Sequence, residues 1–124
     1  MLQRTVVIVA AWLEIVVGAS FVTALEVPCR LLFAATPEGV AIPLARFAGV
    51  ALVALGIACL PSKAAGPGRS AMLGLLVFNV GATIFFAWVA VATTFRGLLL
   101  WPVVILHAVI AAALLLQFLT RIAA

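Results

Sequence analysis

Four side chains could carry chemistry in this chain: Glu14, Arg46, Asn79 and His107. Each is set well inside a long apolar run. In the stretch AAWLEIVVGASF the carboxyl of Glu14 falls between Leu13 and Ile15. A lone charge at the centre of a bilayer costs about 2.5–3.5 kcal/mol on insertion scales. Such groups turn towards protein, pair with one another, and mark proton, ion or ligand paths. Glu14 and Arg46 are the opposite charges at suitable depth. The residue types therefore predict an ion pair between them, with His107 or Asn79 as a further hydrogen-bond partner. A centre of this kind either fixes helix register alone or lines a site for a proton, an ion or the polar head of a ligand.

The runs that must position these residues dominate the composition. The chain has 124 residues, of which 69% are hydrophobic and 8% charged. Soluble domains hold roughly 45–50% apolar residues and about 25% charged ones. So apolar a chain cannot cover itself with a wet surface, and the lipid bilayer is its expected solvent. Four hydrophobic stretches, at about 5–25, 40–60, 71–93 and 98–120, each approach the ~20 residues a helix needs to cross. Backbone groups in lipid must be satisfied within the segment, so helices are expected. The fold class is all-α: an integral membrane four-helix bundle forming one domain over residues 1–124. The first run reads as a span rather than a cleaved signal peptide, because it is long and lacks a small-residue cleavage pattern.

The connections set the direction. Residues 61–70 form a breaker-rich turn, and 93–97 a tight one carrying Arg96. In the longer link, Cys29 to Phe33 reads as a short interfacial helix. Thr36-Pro37-Glu38 reads as a helix start, with Thr as cap and Glu at the positive end of the dipole. The second span would then begin before its apolar run and carry Pro43 as a kink. Arg4, Lys63, Arg69 and Arg121 fall on one side with no acid among them. On the other side Glu26 and Glu38 cancel Arg30 and Arg96. The positive-inside rule places both termini in the cytoplasm of a multi-pass protein, expected in a bacterial inner (plasma) membrane. Trp88 and Trp101 suit an aromatic belt at the outer face.

Helical spacing sorts the faces. Ala11, Glu14, Gly18 and Phe21 share one stripe, and Arg46, Gly49, Val53 and Gly56 another. Small residues on a stripe let membrane helices approach, so Gly18, Gly49, Gly56 and Gly81 are the expected packing positions. Val17-Gly18-Ala19-Ser20-Phe21 and Val80-Gly81-Ala82-Thr83-Ile84 also form a faint internal repeat. The net charge of +4 is scattered, with no basic stripe or aromatic platform, which argues against nucleic acid. Cys29 and Cys59 lie near opposite ends of neighbouring spans, about 30 Å apart, and are expected as free thiols. One histidine excludes haem held by two within a chain. No metal, nucleotide or nucleophile motif occurs, and the cofactor is left unknown.

Two resemblances add to this reading. The stretch from Trp12 to Gly18 resembles the first helix of small multidrug resistance exporters, four-helix proteins of similar length. In that family a membrane-embedded Glu exchanges protons for cationic drugs, which implies that role for Glu14. The family's aromatic-rich third helix is missing, and Arg46 would repel a cation. The four-helix plan, with Leu44-Ala45-Arg46-Phe47-Ala48-Gly49 in the second span, resembles small bacterial membrane proteins of the DoxX-like type. Some of these are linked to quinone-dependent redox complexes, which implies an accessory or quinone-proximal subunit. The extramembrane surface is too small for a catalytic domain. The expected role is a non-enzymatic accessory or scaffold subunit, or a module binding a quinone- or lipid-like ligand, with a homo-oligomer or larger membrane complex as its setting. The alternative is a proton-coupled exporter using Glu14.

Overall fold

A computed structural model describes residues 2–60 and 68–123. Five helices follow one another: α1 (Leu2–Thr23), α2 (Glu26–Phe33), α3 (Ala41–Cys59), α4 (Arg69–Ala92) and α5 (Leu100–Ala123). No strand occurs among the described residues. Four of the helices, all but α2, are long and apolar enough to cross a membrane. Each long helix reverses the direction of the one before, so the start of α1 and the end of α5 lie at one end of the bundle and α2 at the other. Residues 61–67, with Lys63 and most of the expected breaker-rich turn, lie outside the described residues.

The bundle is built from two close pairs, α1 with α3 and α4 with α5. In lipid, apolar side chains gain nothing by leaving their solvent, so close backbone approach supplies the association. Gly18 and Gly49 provide it. A Cβ added at Gly18 would come within 2.6 Å of the Gly49 carbonyl oxygen, and one at Gly49 within 2.7 Å of the Gly18 oxygen. Gly56 packs in the same way on the backbone of Ala11. Gly81 does not: it faces open space within the chain, because α4 turns its opposite side, Asn79 and Ala82, inward. The two pairs meet over an apolar cluster of Val7, Ala10, Ala11, Cys59, Met72, Leu75, Ile110 and Leu114.

The α2 end is held by different contacts. Helix α2 buries Pro28, Cys29 and Leu32 and leaves Glu26 and Arg30 outward. It starts three residues earlier than the expected interfacial helix. The Leu99 amide donates to the Leu31 carbonyl at 2.8 Å, and Gly97 lies directly on the backbone of Leu31 and Leu32. Phe33 stacks near Phe86 at 6.3 Å and meets Phe95 edge-on at 5.7 Å.

Helix α3 starts later than Thr36-Pro37-Glu38 suggests. Gly39 takes a φ of +53°, a left-handed conformation that interrupts any helix running through it. Residues 36–38 are therefore outside any helix, and α3 begins at Ala41. Pro43 then sits in the first turn, where its missing N–H has no intrahelical partner to lose, so it starts the helix instead of kinking it. Pro102 holds the same kind of place in α5.

Candidate functional site

Register decides which polar residues can meet. Gly18 faces Gly49 and Ala11 faces Gly56 across the α1–α3 pair. Glu14 therefore stands opposite the level of Val53. Arg46, one turn before Gly49, stands opposite Phe21, two turns or about 10 Å away along the axis. The structure does not bring Glu14 and Arg46 together. Glu14 is buried, at 3% exposure, while Arg46 is exposed. The ion pair formed among the described residues is instead Glu26 with Arg30, at 3.6 Å on the surface of α2.

Glu14 keeps other company. One turn below it on the same face, Ala10 and Ala11 belong to the apolar cluster, as does Cys59. The Glu side chain leans towards its helix N-terminus, which is the direction of Cys59. No hydrogen bond or ion pair engages the Glu14 carboxyl among the described residues.

Asn79 and His107 do meet. Asn79 is fully buried, and its Nδ2 donates to the Leu75 carbonyl one turn back at 2.8 Å. That bond orients the amide and turns Oδ1 towards α5, where it lies 2.8 Å from His107 Nδ1. An amide oxygen only accepts, so Nδ1 must carry a proton. In the neutral ring Nε2 is then left with its lone pair. The imidazole is half-buried. Phe86 stacks beside it at 6.1 Å, and Phe78 meets it edge-on at 5.8 Å. Nε2 has no partner among the described residues.

These groups form one layer. Leu75 is a turn below Asn79, and Ile110 and Leu114 are one and two turns below His107. All three belong to the cluster that holds Ala10 and Ala11 beneath Glu14. Glu14, Asn79 and His107 therefore stand about one turn above a common apolar floor, on the inward faces of α1, α4 and α5. The layer offers a carboxyl and a ring nitrogen that have no partner among the described residues. Among the described residues no group of His, Cys, Asp and Glu could hold a metal ion.

Sequence reasoning took Cys59 only as a free thiol and missed Gln117. Cys59 extends the stripe of Arg46, Gly49, Val53 and Gly56, three residues beyond Gly56, and Gln117 follows His107, Ile110 and Leu114 at helical spacing. Gln117 is buried, and its Oε1 has no hydrogen-bond partner among the described residues. Both cysteines are free and buried. No family model, curated protein or solved structure matches the chain.

Proposed function

We propose that this chain is a non-enzymatic membrane module that receives the hydrogen-bonding head of a lipid-soluble ligand, quinone- or lipid-like, at the layer of Glu14, Asn79 and His107. In this reading it spans the bacterial inner membrane four times with both termini cytoplasmic, and serves as an accessory subunit of a larger membrane complex. The supporting observation is Glu14, a residue only 3% exposed whose carboxyl has no partner among the described residues. A leucine would fill that place without leaving a polar group unsatisfied, so a carboxyl kept there points to use. A carbonyl–hydroxyl ligand fits what is offered. His107 Nε2 accepts a hydroxyl proton, and the carboxyl in its neutral form has one O–H for a carbonyl. Asn79 takes no part in binding itself; it holds the imidazole in the tautomer that presents Nε2.

The test is binding of a short-chain quinone and its quinol to the protein in nanodiscs, followed by tryptophan quenching. Glu14→Gln and His107→Phe should each weaken binding at least tenfold. Unchanged affinity in both variants would remove this reading.

The second reading is a proton-coupled exporter using Glu14. It is favoured by the distance of Arg46, which neither neutralises the carboxyl nor guards it against a cation. Reconstituted vesicles should then show cation efflux driven by a pH gradient and abolished by Glu14→Gln. Absence of gradient-driven flux in the wild type would leave the ligand-binding reading alone.

A further inference from the structure

A further opening lies elsewhere, at the α2 end. A cleft of about 440 Å³ is formed where the end of α1, the start of α2 and the approach to α3 converge. Its volume is within the roughly 300–1,000 Å³ of small-ligand pockets. Thr23, Leu25, Val27, Pro37 and Ile42 form most of its wall, and two charged residues, Arg46 and Glu26, face it.

Arg46 is the unusual member. It lies on a helix long and apolar enough to cross a membrane, about 7–8 Å below the start of α3 at 1.5 Å per residue. No acid pairs with it among the described residues. A guanidinium near the end of a span sends its long stem towards the interface, where phosphate and water are found. Its planar fork of donors suits a phosphate in a bidentate fashion. Glu26 adds the opposite charge. It is tied to Arg30 at 3.6 Å with both side chains largely exposed, and an exposed pair of that kind contributes little and is readily shared. A ligand carrying only negative charge would meet Glu26, and one carrying only positive charge would meet Arg46. A zwitterion whose two charges are joined by a short linker satisfies both.

We propose that the Arg46–Glu26 cleft binds the head group of an aminophospholipid, with its phosphate on the Arg46 guanidinium and its primary ammonium on the Glu26 carboxylate. Val27 and Ile42 are partly exposed at the cleft and receive the glycerol and the first methylenes of the chains. A primary ammonium donates N–H bonds to a carboxylate and a quaternary one does not, so phosphatidylethanolamine is favoured over phosphatidylcholine. Phosphatidylglycerol lacks the cation altogether. The proposal uses only the membrane-spanning reading of the chain and does not involve the Glu14 layer.

Native mass spectrometry of the full chain, titrated with each of these three lipids, tests it. The wild type should retain phosphatidylethanolamine about tenfold better than the other two. Arg46→Gln should lower that retention at least tenfold, and Arg46→Lys, which keeps the charge, less. Glu26→Gln should bring phosphatidylethanolamine down to the level of phosphatidylcholine without loss of the latter. Millimolar phosphoethanolamine should leave the lipid in place, whereas its displacement would identify a free head group as the true occupant and overturn the lipid assignment. Equal retention of the three lipids by the wild type, full retention in Arg46→Gln, or no difference between Arg46→Gln and Arg46→Lys would each overturn the proposal.

Discussion

His107 and Asn79 are joined across α4 and α5 by a 2.8 Å hydrogen bond from Nδ1 to Oδ1, and Asn79 is held in place by its own bond to the Leu75 carbonyl. The pair is a polar clasp between two apolar helices. Interhelical hydrogen bonds in membranes are worth about 0.6 kcal/mol on average and up to ~1.7. A double-mutant cycle of Asn79→Ala and His107→Ala, read by unfolding in mild detergent, should give a coupling of about that size. Nitrogen NMR of the neutral imidazole should find the proton on Nδ1. A proton on Nε2 instead would mean that the clasp is not made as described.

Glu14 is buried and its carboxyl has no partner among the described residues, so it should work against stability. Removing a buried polar group that has no hydrogen bond relieves about 1–3 kcal/mol. Glu14→Leu is expected to unfold at higher temperature than the wild type, while losing quinone binding or proton-coupled flux. A large loss of stability in Glu14→Leu would show that the carboxyl has a structural partner.

The Gly18–Gly49 crossing leaves no room for side chains, and the Gly81 surface does. Overpacking a fitted contact costs typically about 1–3 kcal/mol. Gly18→Leu and Gly49→Leu should each destabilise the bundle by at least that much, because the obstacle is the opposing backbone. Gly81→Leu should leave the stability of the isolated chain within about 0.5 kcal/mol. Thermal unfolding of the three variants side by side decides it; equal damage at all three positions would place Gly81 in a packed interface after all.

Much of this architecture could be read before the structure. Four apolar stretches of spanning length gave four long helices, because run length in lipid leaves the chain little alternative. Contacts between helices were less legible. The Glu14–Arg46 expectation measured the depth of each residue from the ends of its own run, whereas the relative level is set by which glycines touch. The Gly18–Gly49 contact moves Arg46 two turns away. Gly81 shows the same limit from another side: a small residue permits close approach but does not say whether a helix is there to make it. The helix start at Thr36-Pro37-Glu38 failed on one backbone angle, the positive φ of Gly39. Asn79 and His107 were identified as intramembrane polar residues. Their pairing depended on α4 and α5 being antiparallel neighbours in one particular register.

Cys29 offers a probe of the α2 end that does not depend on the Glu14 layer. Its side chain is 7% exposed, and burial pushes the thiol pKa up from its ordinary value, because the thiolate loses hydration. Only the thiolate is the nucleophile. At neutral pH Cys29 should therefore react with maleimide more slowly than an exposed cysteine. In a Cys59→Ala background, where Cys29 stands alone, its rate should climb about tenfold per unit from pH 7 to pH 9 without levelling. After unfolding in detergent the rate should level near the ordinary thiol value of about 8.5. The sign for stability follows: a thiol harder to ionise when folded supports the fold below the unfolded value. That contribution is lost as pH rises beyond it. The docking of α2 should accordingly loosen in mildly alkaline buffer, seen as faster labelling than ionisation alone provides. A labelling rate that reaches its plateau below pH 8.5 in the folded protein would mean that Cys29 is not buried against α2's neighbours.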